Sequence, residues 1–143
     1  MKVFVFDIND RVHVGSVTGE LSITDTISIS IPEGQSYIIL DNEDLPNEPQ
    51  ESWYIEDGEI KIDQQKLIEF NRKNMPTLTP IEFDIKLVDA GLYDQVQSLI
   101  QSDVKLKIAY IRATFFSRTD PFIDQARIAL NLTDKQVDDM WIS

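Results

Sequence analysis

The sequence predicts an α+β fold, a small antiparallel β N-terminal part followed by a C-terminal helical bundle. Two observations carry this expectation. Apolar residues alternate with period two up to about residue 62 and recur with helical spacing from residue 63 onward. The second stretch is also punctuated by helix caps, whereas the first is punctuated by turns. The expected division is residues 1–78, a β-rich acidic part ending in a helix, and residues 79–143, a small helical bundle.

In the first part, Lys2 to Asp7 alternates, with Val3 and Val5 on one face and Phe4 and Phe6 on the other, so both faces of that strand are expected to be covered. Asn9-Asp10 supplies a turn before a strand carrying Val12 and Val14, and Gly15 and Gly19 break the pattern again. Thr26 to Ile31 places Ile27, Ile29 and Ile31 on one side and Ser28 and Ser30 on the other, which reads as a half-buried antiparallel strand. Pro32-Glu33-Gly34 turns into a further strand over Tyr37 to Leu40. Trp53-Tyr54-Ile55 and Ile60-Lys61-Ile62 flank Asp57-Gly58, a strong hairpin signal because both turn positions require φ > 0.

In the second part, Asp63 caps a helix that Met75-Pro76 ends. Thr79-Pro80-Ile81-Glu82 is a helix start in which threonine caps, proline fits the first position and glutamate closes a capping box. Phe83, Leu87 and Val88 form its apolar stripe, and Gly91 is its left-handed stop. Leu92, Val96, Leu99 and Ile100 give a short helix. Val104 to Phe116 follows, with Ile108, Ile111 and Phe115 on one helical face, although Val104, Leu106 and Ile108 also fit a strand. Asp120-Pro121 opens a helix that Asn131 ends, and Thr133 with Gln136 forms a second capping box ahead of Val137, Met140 and Trp141.

Composition excludes several classes of chemistry. An apolar fraction of 42% is enough for a folded core. With no cysteine, disulfides, thiol nucleophiles and cysteine-bearing metal sites are ruled out. The Val3–Phe6 run is too short for a signal-peptide core, and no stretch approaches a membrane span, so a soluble protein is expected. The net charge of −12 repels nucleic acid and anionic membranes. Residues 1–78 hold 15 acidic and 6 basic side chains, against 10 and 7 in the remainder. Asp41 to Glu59 contains eight carboxylates and no lysine or arginine.

No catalytic pattern emerges. His13 is the only histidine and has no evident nucleophile beyond its neighbour Ser16; the five glycines are scattered singly, so no phosphate loop is present. Asp41-Asn42-Glu43-Asp44 has oxygen ligands for calcium but departs from the EF-hand pattern at Leu45-Pro46. No cofactor and no metal are expected. Trp53-Tyr54 and Trp141 are candidate interface aromatics; core anchoring weighs equally with that role for Trp53 and is the preferred role for Trp141.

Two stretches resemble small proteins encoded beside tail-fibre genes in tailed phages. One is Ile31-Pro32-Glu33-Gly34 through Tyr37-Ile38-Ile39-Leu40-Asp41, then Asp44-Leu45-Pro46 and Trp53. The other comprises Leu78-Thr79-Pro80-Ile81-Glu82-Phe83, Asp89-Ala90-Gly91-Leu92, Arg118-Thr119-Asp120-Pro121 and Leu130-Asn131-Leu132-Thr133-Asp134-Lys135-Gln136-Val137-Asp138, with Asn131 where the group has glycine. The resemblance implies a non-enzymatic accessory protein that contacts a tail-fibre or baseplate protein, as an assembly chaperone or a small tail subunit. Its place would be the virion tail, or the host cytoplasm during assembly. Asp41, Asp44, Leu45, Trp53 and Tyr54 are the expected contact residues. The acidic run motivates a rival reading, a DNA mimic that blocks a host defence nuclease; an enzyme has least support.

Overall fold

The computed structural model describes residues 1–143, which divide into two compact units, Met1–Phe70 and Asn71–Ser143. The fold is α+β, with an antiparallel β region preceding an array of helices, as the change of periodicity predicts. The division falls upstream of the expected seam. Leu78 is buried in the helical core, and its backbone pairs with that of Phe116 through N–H···O bonds of 2.9 and 2.7 Å.

The β-rich unit is built around β1 (Lys2–Ile8). It pairs antiparallel with β2 (Arg11–Ser16) on one side and with β3 (Ile38–Asp41) on the other. Asn9 and Asp10 close the first hairpin with φ of 53° and 59°, the conformation a two-residue turn needs to match strand twist. A second hairpin joins β4 (Trp53–Glu56) to β5 (Glu59–Ile62) through Asp57 and Gly58, both with positive φ.

The two faces of β1 are covered by different partners. On one, Phe4 packs with Ile27 and Ile31, flanked by Phe6 and Ile23. On the other, Val5 packs with Val12 and Trp53, flanked by Leu40, Leu45, Ile55, Ile60 and Ile62. Gly15 lies opposite Phe4 in the register, and a Cβ there would sit 2.1 Å from the Phe4 ring. The absence of a side chain at residue 15 is what gives the ring its place.

The strand expected over Thr26–Ile31 is instead part of helix α1 (Ile23–Ser30). Ser22 caps it, its hydroxyl accepting from the Asp25 amide at 3.1 Å. Ile23, Ile27 and Ile31, four residues apart, face the sheet, while Ile29 is 75% exposed. An every-fourth set and an every-second set share Ile27 and Ile31, and the Ser22 cap decides between them.

α2 (Gln64–Lys73) follows Asp63, whose carboxylate accepts from the amides of Gln65 and Lys66. The helical unit then contains α3 (Pro80–Asp89), α4 (Tyr93–Ser102), α5 (Val104–Arg112), α6 (Pro121–Ala129) and α7 (Asp134–Ile142). Both predicted capping boxes form, at Thr79 with Glu82 and at Thr133 with Gln136. Both left-handed stops form too. Gly91 and Asn131 have φ of 70° and 54°, and the amide two residues past each helix cap reaches back to Leu87 or Arg127. The core packs Phe83 against Phe116, with ring centroids 4.2 Å apart, and against Trp141 at 5.8 Å.

Two expectations are corrected here. α5 ends at Arg112, and Phe116 leaves the helix to bridge Leu78. The predicted apolar face of that helix points outward, because Leu106 is the buried residue while Ile108, Ile111 and Phe115 are exposed. Trp53, expected at the contact, is buried, and Trp141 takes the core role preferred for it. Trp53 is 6% exposed with its indole N–H on the Glu48 carbonyl at 2.9 Å, and Trp141 is 1% exposed with its own on Pro76 at 2.8 Å.

Candidate functional site

The acidic segment from Asp41 to Glu59 is two single 3-10 turns, Asn42–Asp44 and Gln50–Ser52, leading into the β4–β5 hairpin. Its five expected contact residues separate into two groups. Leu45 and Trp53 turn inward and pack with Val5 and Val12. Asp44 and Tyr54 face solvent. Asp41 lies between, tied to the Lys2 ammonium at 2.7 Å, and that hydrogen bond holds its carboxyl below the usual carboxylate range. Tyr54 follows Trp53 on β4, so pleat alternation sends the two rings to opposite faces. The surface offered here is therefore acidic with Tyr54 as its large ring. The tryptophan shapes it from beneath.

The helical unit presents a surface of a different kind. Ile81, Ile85 and Val88 of α3 are 72%, 54% and 59% exposed, and spacings of four and three residues set them on one face. Val104, Ile108 and Ile111 of α5 repeat the arrangement, with Phe115 exposed just beyond the helix end. The two helices are linked where the Tyr110 hydroxyl donates to Asp84 and accepts from Gln97 at 3.2 Å. Burial and the hydrogen bond to Asp84 both push the Tyr110 phenol well above its ordinary pKa. Sequence periodicity detects the apolar residues of both faces of α5 but assigns the wrong one to the core. The usable signal is that α5 has two apolar faces, Leu106 and Tyr110 lying opposite Val104, Ile108 and Ile111, with Lys105, Lys107 and Arg112 between them.

The residues that carry the resemblance in the C-terminal part have structural tasks. Arg118 is 3% exposed, and its guanidinium meets Asp138 at 2.6 Å and Asp134 at 3.0 Å. Arg72 engages Asp138 through two nitrogens, at 2.7 and 3.0 Å. Arg127 continues the chain to Asp134 and Asp124, both at 3.2 Å. Three arginines thus alternate with three aspartates across α2, α6 and α7 and the segment before α6. Burial alone would raise the Asp138 carboxyl, but the hydrogen bonds and charges of Arg72 and Arg118 outweigh it and bring it below its usual value. Asp120 does not cap α6 from its side chain and instead accepts from the Ser117 amide at 2.8 Å. Spacing gives no warning of this network, because its members lie up to 66 residues apart.

Elsewhere, His13 is exposed and lies flat on Phe6, ring centroids 5.3 Å apart, with no hydrogen bond to Ser16. No three acidic or histidine side chains converge so as to hold a metal ion. No helix is long and apolar enough to cross a membrane. Comparison of the chain with protein-family models, with curated proteins and with solved structures finds no match.

Proposed function

We propose that this chain is a non-enzymatic accessory protein of a phage tail that binds a tail-fibre or baseplate protein, as a small tail subunit or as an assembly chaperone. The observation that carries the reading is the pair of apolar helical faces, Ile81-Ile85-Val88 and Val104-Ile108-Ile111. A soluble monomer seldom leaves more than a few hundred Å² of contiguous apolar surface uncovered, and larger patches mark protein contacts. The quoted resemblance supplies the kind of partner. The acidic segment with Asp44 and Tyr54 is a second contact, polar in character and suited to the rim of an interface.

Co-expression with the fibre protein of the same tail module tests the proposal. Wild type co-purifies with the fibre protein; the Ile108→Asp/Ile111→Asp variant keeps its fold and loses the complex. Retention of the complex by that variant, and by an Ile81→Asp/Ile85→Asp variant, would sink the assignment of the contact to these helices. Absence of any complex with fibre or baseplate proteins would sink the tail reading itself. The DNA-mimic reading draws on a separate observation. Residues 1–70 hold 15 acidic and 4 basic side chains, a net −11 of the total −12. Competition by duplex DNA for the partner would favour it.

A further inference from the structure

A cleft of about 600 Å³ opens on the β-rich unit, lined by Arg11, His13 and Lys66 together with Asp10, Glu51 and the buried Trp53. We propose that this cleft binds a small molecule bearing a carboxylate or phosphate group, held by Arg11 and Lys66. The site is separate from the helical faces and does not depend on the tail reading.

The distribution of cations carries the inference. The β-rich unit has four basic side chains among 15 acidic ones. Lys2 pairs with Asp41 at 2.7 Å, and Lys61 with Glu56 at 2.6 Å. The other two, Arg11 and Lys66, form no ion pair despite the excess of carboxylates, and both line this one cleft. Lys66 is the third residue of α2, where the dipole of the helix N-terminus favours an anion and the Asp63 carboxylate already supplies one.

The walls are fixed before any ligand arrives. The Gln50 amide donates to the Val12 carbonyl at 2.7 Å, the Trp53 indole donates to Glu48, and His13 lies against Phe6. Such a preformed, partly apolar cleft with a few convergent polar groups is the usual form of a small-molecule site. Asp10 and Glu51 limit what it accepts. They repel a second anionic group, so the ligand carries one anionic end and a neutral or cationic remainder.

Two-dimensional amide spectra of the full chain provide the test, because the indole N–H of Trp53 reports on the cleft and that of Trp141 serves as an internal control. Sodium phosphate and sodium acetate are titrated separately, with sodium chloride at matched ionic strength. The expected result is a saturable shift of the Trp53 signal with phosphate, acetate or both, and none with chloride. Arg11→Ala and Lys66→Ala should each weaken that binding about tenfold, the usual effect of removing one charge-assisted hydrogen bond. Saturation by phosphate alone assigns a phosphate ligand, and saturation by acetate assigns a carboxylate. Shifts that are linear and equal to those from chloride would overturn the proposal. So would saturation unchanged in both variants.

Discussion

Asp138→Ala is expected to be among the most damaging substitutions in the helical unit that leave the apolar core intact. Asp138 accepts from Arg72 at 2.7 and 3.0 Å and from Arg118 at 2.6 Å, and Arg118 is 3% exposed. Removing the carboxylate leaves Arg118 with Asp134 alone, at 3.0 Å, and Arg72 with no acidic partner. Stranding one member of a buried pair costs about 3–5 kcal/mol. In a chain of this size that lowers the melting temperature by roughly 10–17 °C. The Arg72→Met/Asp138→Leu double variant removes the stranded cation as well, and it should recover most of the loss. Urea titration followed by Trp141 fluorescence measures all three proteins. A loss below about 1 kcal/mol for Asp138→Ala would refute the argument. Failure of the double variant to recover would also refute it. The pH dependence has a definite sign. Because the folded-state pKa of Asp138 is depressed, its contribution is full above the unfolded value near 4 and is lost as pH falls through the folded value. Wild type and Asp138→Ala should therefore differ at neutral pH and converge in acid.

Gly15→Ala should cost about 1–3 kcal/mol in thermal melts, since the Phe4 ring has to move from a position 2% exposed. Trp53→Ala should cost about 3–5 kcal/mol by denaturant titration, while Tyr54→Ala should stay under about 1, which separates the inward ring from the outward one. Asn131→Gly should raise stability by about 0.5–1 kcal/mol, because the position holds φ of 54° at a helix stop; a fall on calorimetry would show that the asparagine side chain contributes more than its backbone costs.

What could be read from the sequence depended on how far apart the participants lie. Thr79 with Glu82, Thr133 with Gln136, Asp57-Gly58, Gly91 and Asn131 each act within a few residues, and every one takes the predicted conformation. α1 is ambiguous in sequence because Ile27 and Ile31 satisfy both periods, and the local signal against a strand is Ser22 three residues before Asp25. The outward face of α5 and the burial of Trp53 depend on what packs beside them, which no local pattern contains. The cleft around Arg11 and Lys66 is of the same kind, joining a strand to a helix 55 residues later. The arginine–aspartate chain leaves no local trace, because only the fold brings residues up to 66 positions apart together.

The strand order has a consequence for synthesis. β1 is the middle strand of its sheet and is made before its partners, yet β3, which completes the sheet, ends at Asp41, and the β4–β5 hairpin that covers Val5 ends at Ile62. At 5–20 residues per second, roughly 3 to 11 seconds pass between the emergence of β1 and that of its last cover. Until β3 emerges, β1 has β2 on one side only, and its other edge is open to pairing with a neighbour; Val5 stays uncovered until the β4–β5 hairpin follows. The helical unit waits as long for Phe83 to meet Trp141, but the caps and stops of its helices act within a few residues and leave no unpaired strand edge. Cells producing the protein quickly should therefore lose it first through the uncovered β1, and slower translation from β1 to Ile62 would prolong that exposure.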